Sequence, residues 1–156
     1  MTSPTPSPVD THASGILRWN LNGQDYTGVA FFEWTEQQSS WFMKGSVGSP
    51  FTPDYQSIRV RLPAMRSDDV IRKRFEPGDA GYYSRYTRML PGGLWDQGMR
   101  GGANVDIDWN NRTLSIEFDG QVQIELEGAL LAVSGTFTGT DLVPLLAMEA
   151  TPPAQA

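Results

Sequence analysis

Residues 103–118 read ANVDIDWNNRTLSIEF and contain the clearest folding signal in the chain. If residues 110–111 form the loop of a β-hairpin, every apolar side chain of this stretch falls on one face. The opposed apolar pairs are then Ala103 with Phe118, Val105 with Ile116, and Ile107 with Leu114. A slip of one residue would break all of these matches, so the pattern predicts both the hairpin and its register.

Short runs with alternating apolar and polar residues continue on both sides of this hairpin. Asn22-Gly23 follows such a run, and this dipeptide is a strong signal for a two-residue hairpin turn. That turn would place Trp19 opposite Tyr26. Further strands are predicted at residues 29–35, 41–47, 57–62 and about 131–140. Successive hairpins without a long crossover helix predict an all-β fold, either an antiparallel β-barrel or a β-sandwich.

The length and composition favour one domain. The chain has 156 residues, of which 39% are hydrophobic, enough for a single core. We expect an antiparallel β domain over residues 15–143. Residues 1–14 and 144–156 are rich in Pro, Ser, Thr and Ala, and we expect both tails to be mostly disordered. The predicted core residues are Trp19, Phe32, Trp34, Ile58, Val60, Ile107, Leu114, Ile116, Ile124 and Phe137.

Two other segments carry local signals. At most one short helix is predicted, near residues 67–75, because Ser67 can cap it and acidic and basic residues would complement its dipole at the two ends. Asp119-Gly120 is interpreted as a turn. A three-residue loop there would carry the chain into a further strand that contains Val122.

Several chemistries are disfavoured by composition. The chain has no Cys, which excludes disulfides, thiolate nucleophiles and Cys-bound zinc. The only histidine, His12, lies in the predicted tail, so a catalytic triad or a His-ligated metal site is not expected. We expect no cofactor and no metal centre.

One spacing imitates a calcium loop. Asp106, Asp108, Asn110 and Glu117 occupy the first, third, fifth and twelfth positions of an EF-hand loop. Asn111 stands where that loop needs Gly, and no helices are predicted on either side. The hairpin explains the apolar residues of this stretch, and we prefer it.

The overall charge bears on partners and location. The formal net charge is −6 and the isoelectric point about 4.6, which argues against general binding of nucleic acid. No apolar run is long enough for a membrane span. Residues 1–15 have neither a basic start nor an apolar block, so we expect a cytoplasmic protein. An extracytoplasmic location stays open if the chain is a trimmed one.

Basic residues are strongly clustered. Nine of the twelve Lys and Arg residues lie at residues 59–100, together with only five acidic ones. Residues 77–102 are rich in Gly, Tyr and Arg, and we interpret them as a long functional loop. Arg and Tyr are both frequent at binding hot spots. The candidate ligand- or partner-binding residues are Arg59, Arg61, Tyr82, Tyr83, Arg85, Tyr86, Arg88, Trp95 and Arg100.

The leading hypothesis is a non-enzymatic binding or protein-interaction module. The basic–aromatic loop and the strand arginines would engage an anionic protein surface or a small anionic or saccharide ligand. On this hypothesis six residues are substantially exposed in the free protein: Tyr82, Tyr83, Arg85, Tyr86, Arg88 and Trp95. The structural alternative is that the arginines neutralise the protein's own acidic strands and the tyrosines cover an open barrel end.

Two further hypotheses remain open. The first is a small-molecule-holding barrel whose cavity is lined by Trp19, Phe31, Phe32, Trp34, Phe42 and Phe137. The second is a carboxylate-dependent glycoside hydrolase, with Asp96 opposite Asp79 or Glu76 as the acid–base pair. The sequence leaves the oligomeric state undetermined.

Overall fold

Ten β-strands make up nearly all of the regular structure. The computed structural model describes residues 11–64, 70–124 and 128–142. The one helical element in these ranges is a single 3₁₀ turn, Glu36–Gln38. The strands are β1 (Thr11–Leu21), β2 (Gln24–Thr35), β3 (Ser40–Val47), β4 (Gln56–Leu62), β5 (Val70–Phe75), β6 (Tyr83–Leu90), β7 (Gly93–Gly98), β8 (Ala103–Asp108), β9 (Thr113–Gln123) and β10 (Leu130–Thr140).

All ten strands belong to one antiparallel sheet. Their order is β5-β8-β9-β10-β1-β2-β3-β4-β6-β7, so most neighbours in the sheet also follow one another in the chain. This is the succession of hairpins that the sequence predicts. The sheet curls around one core as a half-barrel and is not divided into two stacked layers. The all-β prediction is confirmed, and the architecture follows the barrel alternative.

The segment between β7 and β8 bridges β6 and β9, which lie near opposite ends of the curled sheet. Met99 donates its backbone N–H to the carbonyl of Ser84 in β6, at 2.9 Å. Arg100 then exchanges backbone hydrogen bonds with Gln121 in β9, at 2.9 and 3.1 Å. Two consecutive residues, Met99 and Arg100, are therefore hydrogen-bonded to β6 and β9, respectively. These strands are far apart in the order of the sheet, so the segment links distant parts of it.

The first predicted hairpin is confirmed. Asn22 and Gly23 form the turn between β1 and β2, with φ angles of 51° and 93°. Positive φ at both positions is what a type I′ turn requires. Trp19 and Tyr26 pair across the strands, and their rings stack with centroids 5.4 Å apart.

The second predicted hairpin has the predicted register along its whole length. β8 and β9 pair from Ala103 with Phe118 to Asp108 with Thr113. Asp108 supports the turn, because its carboxylate accepts hydrogen bonds from the backbone N–H and the side-chain amide of Asn111, at 3.0 and 2.8 Å. These bonds lower the pKa of Asp108.

Alternate side chains point into the curl and form one hydrophobic core. Phe32 stacks on Trp41 there, with ring centroids 4.8 Å apart. Trp34 and Ile124 are partly buried and pack against the edge of this core. The other predicted core residues are all buried: Trp19, Phe32, Ile58, Val60, Ile107, Leu114, Ile116 and Phe137.

The predicted short helix is wrong over its described part. Val70–Phe75 is strand β5, which pairs with β8. Arg72 lies opposite Asp106 and forms an ion pair with it at 3.3 Å. The charges that were assigned to a helix dipole therefore serve cross-strand pairing. Ser67, the predicted helix cap, lies outside the described residues.

Asp119-Gly120 is not a turn. β9 continues through both residues to Gln123 and stays paired with β10, where Asp119 faces Ser134 and Gly120 faces Val133. Val122 reaches the core face because the alternation is unbroken. The predicted turn and three-residue loop are therefore wrong.

Residues 77–102 are not one long loop, and that interpretation is wrong. They contain β6 and β7, which form a hairpin around residues 91–92. The period-two alternation of β6 is hard to see in the sequence because its inward residues include the polar Ser84 and Arg88. Polar side chains on both faces conceal the strand.

The described ranges bear on two further expectations. β1 begins at Thr11, so the sheet starts earlier than the expected boundary at residue 15. The remainder of the predicted tails, residues 1–10 and 144–156, lies outside the description. Within the described residues no helix is both long enough and apolar enough to cross a membrane.

Candidate functional site

The nine candidate binding residues do not share one surface. Directly opposed residues of an antiparallel sheet lie on the same face, so the register assigns each strand residue a side. Four of the candidates lie on the outer face of β4 and β6, as two directly opposed pairs: Arg59 with Arg85 and Arg61 with Tyr83. Tyr86 and Arg88 alternate with these and point inward.

The outer face contains a row of three basic residues. Lys44 of β3 lies directly opposite Arg59 of β4, which lies directly opposite Arg85 of β6. Lys44 is far from the others in sequence, and sequence reasoning missed it. The register of β3 against β4, if it had been predicted, would have placed Lys44 opposite Arg59. Three cations on neighbouring strands make a local positive field on a protein whose net charge is negative.

An open groove of about 250 Å³ lies beside this row. Two small hydroxyl side chains, Ser46 and Ser57, line the groove and face each other across β3 and β4. Phe31 of β2 lines one side, while Arg59 and Thr87 line the other. The groove therefore combines an apolar wall, hydroxyl groups and a guanidinium group.

Arg59 is the one cation of this row for which the described residues provide no partner. Its Nε is buried and has no hydrogen-bond acceptor. Lys44, by contrast, forms an ion pair with Glu33 at 3.2 Å, and Arg85 forms one with Asp96 at 3.0 Å. A buried donor without an acceptor is costly, and Arg59 is the cation of this row that has no ion pair among the described residues.

Arg61 and Tyr83 form a separate cluster at one side of the row. The Arg61 guanidinium lies over the Tyr83 ring, 5.6 Å from its centroid, and its Nε donates to the Ser40 hydroxyl at 2.9 Å. The Tyr83 ring meets Phe42 edge-on at 6.3 Å. These contacts hold Arg61 against the sheet, so it is pre-organised there.

Tyr82 and Tyr86 are buried, and the expectation of exposure is wrong for both. Tyr82 stacks on Phe75, with centroids 5.9 Å apart. The Tyr86 hydroxyl donates to the side-chain oxygen of Gln56 at 2.7 Å. Burial raises the pKa of each phenol. These two tyrosines belong to the structural alternative that the sequence left open.

The remaining candidates lie away from the groove. Arg88 faces inward, directly opposite Trp95 of β7. Trp95 is half-buried, and its indole N–H donates to the backbone carbonyl of Gln123 at 2.7 Å. Arg100 is exposed on the segment that connects β7 to β8.

The carboxylates proposed for a hydrolase are each engaged separately. Asp96 is paired with Arg85, and Glu76 with Arg74 at 2.9 Å. Asp79 accepts the backbone N–H of Glu76 at 2.8 Å. Among the described residues no group of three or more His, Cys, Asp or Glu side chains is placed to hold a metal ion. The geometry therefore adds no support for carboxylate catalysis.

The six aromatic residues proposed to line an interior cavity do not lie on one side of the sheet. Phe31 and Phe42 are on the outer face, in register with Lys44 and Arg61. The inward-facing Trp19, Phe32 and Phe137 are buried, and Trp34 is partly buried against the same core. The cavity as predicted is therefore wrong, because the alternation of β2 and β3 divides its lining.

No protein-family model matches the chain, and neither the curated proteins nor the solved structures give a match.

Proposed function

We propose that this chain is a binding module whose outer face takes an anionic group of a partner into the groove beside Arg59. The observation that carries the proposal is the position of Arg59, which lines the groove and has no ion pair among the described residues. Its Nε is buried, so a carboxylate or phosphate in the groove would accept hydrogen bonds from the terminal guanidinium nitrogens. It would also lie between Lys44 and Arg85, which flank Arg59 in the row.

The surroundings of the groove favour an acidic protein segment as the partner. Ile16, Val29 and Phe31 are exposed on the outer face of β1 and β2, with 38%, 56% and 41% of their surfaces accessible. Ile16 lies opposite Val29, which makes the apolar area continuous. A basic row next to exposed apolar side chains suits a peptide that carries both carboxylates and an aromatic or aliphatic residue.

Two internal carboxylates compete for the same cations. Glu33 and Asp96 neutralise Lys44 and Arg85 in the free protein. These pairs are partly exposed, and each contributes little to stability. A partner anion would enter a site that is only partly neutralised. Binding should weaken as salt rises, because exposed charges are screened over about 8–10 Å at physiological ionic strength.

The first test uses a capped Asp-Glu-Phe-Asp-Glu peptide and its neutral Asn-Gln-Phe-Asn-Gln counterpart, titrated by calorimetry at low salt. We expect the acidic peptide to bind more tightly. Arg59→Gln should weaken its binding about tenfold or more, since a hydrogen bond to a charged group contributes about 1.5–3 kcal/mol.

Arg100→Gln is the matched control, because it removes the same charge at a site away from the groove. It should leave the affinity nearly unchanged. Equal losses in the two variants would mean that the peptide responds to net charge alone, and the groove would be rejected. Equal binding of the two peptides would reject the proposal as a whole.

The second test asks for a gain of binding. Glu33→Gln removes the carboxylate paired with Lys44 and leaves the groove lining intact. The acidic peptide should then bind about two- to fivefold more tightly, the range for an exposed ion pair of about 0.5–1 kcal/mol. A loss of affinity in Glu33→Gln would contradict the placement of the anion beside the basic row.

A further inference from the structure

The interior of the curled sheet contains different side chains at the two ends of its strands. At the end where β2 leads into β3, three tryptophans meet. Trp41 packs against Trp34 with ring centroids 5.3 Å apart and against Trp109 at 5.6 Å. At the opposite end the inward side of β6 presents Arg88, a charged residue, where the pattern of the strand places core residues. A guanidinium on the inner side of a curled sheet requires an explanation.

Arg88 belongs to a short polar chain on this inner side. Its Nη1 donates to the Tyr86 hydroxyl at 3.4 Å, and that hydroxyl donates to the Gln56 side-chain oxygen at 2.7 Å. Gln56 and Tyr86 are buried. Within the described part of the protein, this bond from Nη1 is the one hydrogen bond that the guanidinium makes, so it uses one of the five donors there. None of the ion pairs among the described residues includes Arg88.

Arg88 lies on the wall of an open recess of about 360 Å³. Its other lining residues among the described ones have no polar side chains: Leu90, Ile124, Gly128, Ala129 and Leu131. Residues 125–127, between Ile124 and Gly128, lie outside the described ranges. Ligand sites typically have this composition: a mostly apolar lining with a few placed polar groups that fix orientation. A cation next to apolar surface is favourable only when it is paired or hydrated.

We infer that this recess binds a small amphipathic carboxylate, such as a medium-chain fatty acid. The carboxylate would accept hydrogen bonds from the planar fork of Arg88, which matches its geometry. The alkyl part would lie against Leu90, Ile124 and Leu131. This site is on the opposite side of the sheet from the groove beside Arg59, and the inference does not depend on the proposed function.

The test compares octanoate with 1-octanol and octylamine, which have the same alkyl chain but a neutral or a positive head group. Calorimetric titration of the unmodified protein should give an affinity for octanoate at least tenfold above that for octanol, and octylamine should bind most weakly. Amide chemical-shift changes should concentrate at Leu90 and Leu131. Equal affinity for the three probes, or no saturable binding of octanoate, would overturn the inference.

Variants locate the binding group. Arg88→Gln should reduce octanoate affinity to the level of octanol, and Arg88→Lys should retain part of the preference because it keeps the charge without the fork. Arg85→Gln is the matched control: it removes the same charge from the outer side of the same strand and should leave octanoate binding unchanged. A similar loss in Arg85→Gln and Arg88→Gln would overturn the assignment.

The proposed function and this inference can be rejected independently of each other. Arg59→Gln should leave octanoate binding unchanged, although it weakens binding of the acidic peptide under the proposed function. If Arg59→Gln removes octanoate binding, then the fatty acid occupies the outer groove and the recess is not its site. If Arg88→Gln does not fold, the comparison of the three head groups on the unmodified protein still decides the inference.

Discussion

Arg59 and Arg74 show how differently one kind of side chain is used at two positions of this protein. Arg74 donates to Asp119 at 3.1 and 3.2 Å and to Glu76 at 2.9 Å. Arg59 instead has a cation opposite it on each neighbouring strand and no acceptor for its Nε. The first arrangement links β5 to β9, and the second is the one on which the proposed anion site rests.

The pairing of Arg74 with Asp119 makes a prediction about acid stability. Hydrogen bonds from Arg74 lower the pKa of Asp119 below its ordinary value of 3.8. A carboxyl with a depressed pKa stabilises the folded state above that value and loses this contribution as the pH falls through the folded-state pKa. The difference in unfolding free energy between wild type and Asp119→Asn should therefore be largest at neutral pH and shrink below pH 3.8, measured by urea denaturation across pH.

Glu117→Gln is the control for this experiment. Glu117 is an exposed acid two residues earlier on the same strand and face, and it has no ion pair among the described residues. Its replacement should leave the pH dependence close to that of wild type. If Asp119→Asn is as acid-sensitive as wild type, the pair with Arg74 does not contribute to folding.

At the scale of elements, β5 and β6 show why local pattern failed where it did. β5 carries charges that a helix would also use, but a two-turn helix is marginal without tertiary packing. As a strand, the same segment places Arg72 opposite Asp106 and Ile71 opposite Ile107. β6 was missed because Arg88 faces inward. In both segments, pairing with distant strands determined the secondary structure. A short window of neighbouring residues does not show which strands will pair.

The β8–β9 hairpin, which the sequence predicted in register, supplies a prediction at this scale. Ile116 is fully buried on β9, directly opposite Val105. Ile116→Ala should lower the free energy of unfolding by about 2–5 kcal/mol, because truncation of a buried Ile removes contacts and leaves a cavity. Denaturant titration followed by tryptophan fluorescence measures this loss.

Ser115→Ala, at the adjacent outward position of the same strand, is the matched control. It should change the free energy of unfolding by about 0.5 kcal/mol or less. Equal midpoints for wild type and Ile116→Ala would contradict the inward placement of this residue.

At the scale of the whole molecule, close backbone contact keeps the curled sheet together. A Cβ added at Gly101 would overlap the carbonyl oxygen of Asp119 and the Cα of Gly120. Only a glycine lets the segment between β7 and β8 approach β9 this closely. The contact lies next to the paired backbone hydrogen bonds of Arg100 and Gln121.

Gly101→Ala should therefore destabilise the protein by about 1–3 kcal/mol, the usual cost of overpacking. Amide exchange at Arg100 and Gln121 should become faster, because their mutual hydrogen bonds would be disrupted. Gly92→Ala is the control, since a Cβ at Gly92 would meet no atom within 4 Å. Unchanged exchange at both amides in Gly101→Ala would show that the ends of the sheet are held by other contacts.

The sequence by itself determined the all-β class, both hairpin turns and most of the core. These features depend on neighbours along the chain, such as the Asn22-Gly23 turn and the alternation that places Ile107 opposite Leu114. The tertiary structure alone decided which charges meet. Lys44 joins Arg59 and Arg85, while Arg88 turns inward two residues before the hairpin ends, because pairing of distant strands sets both register and face.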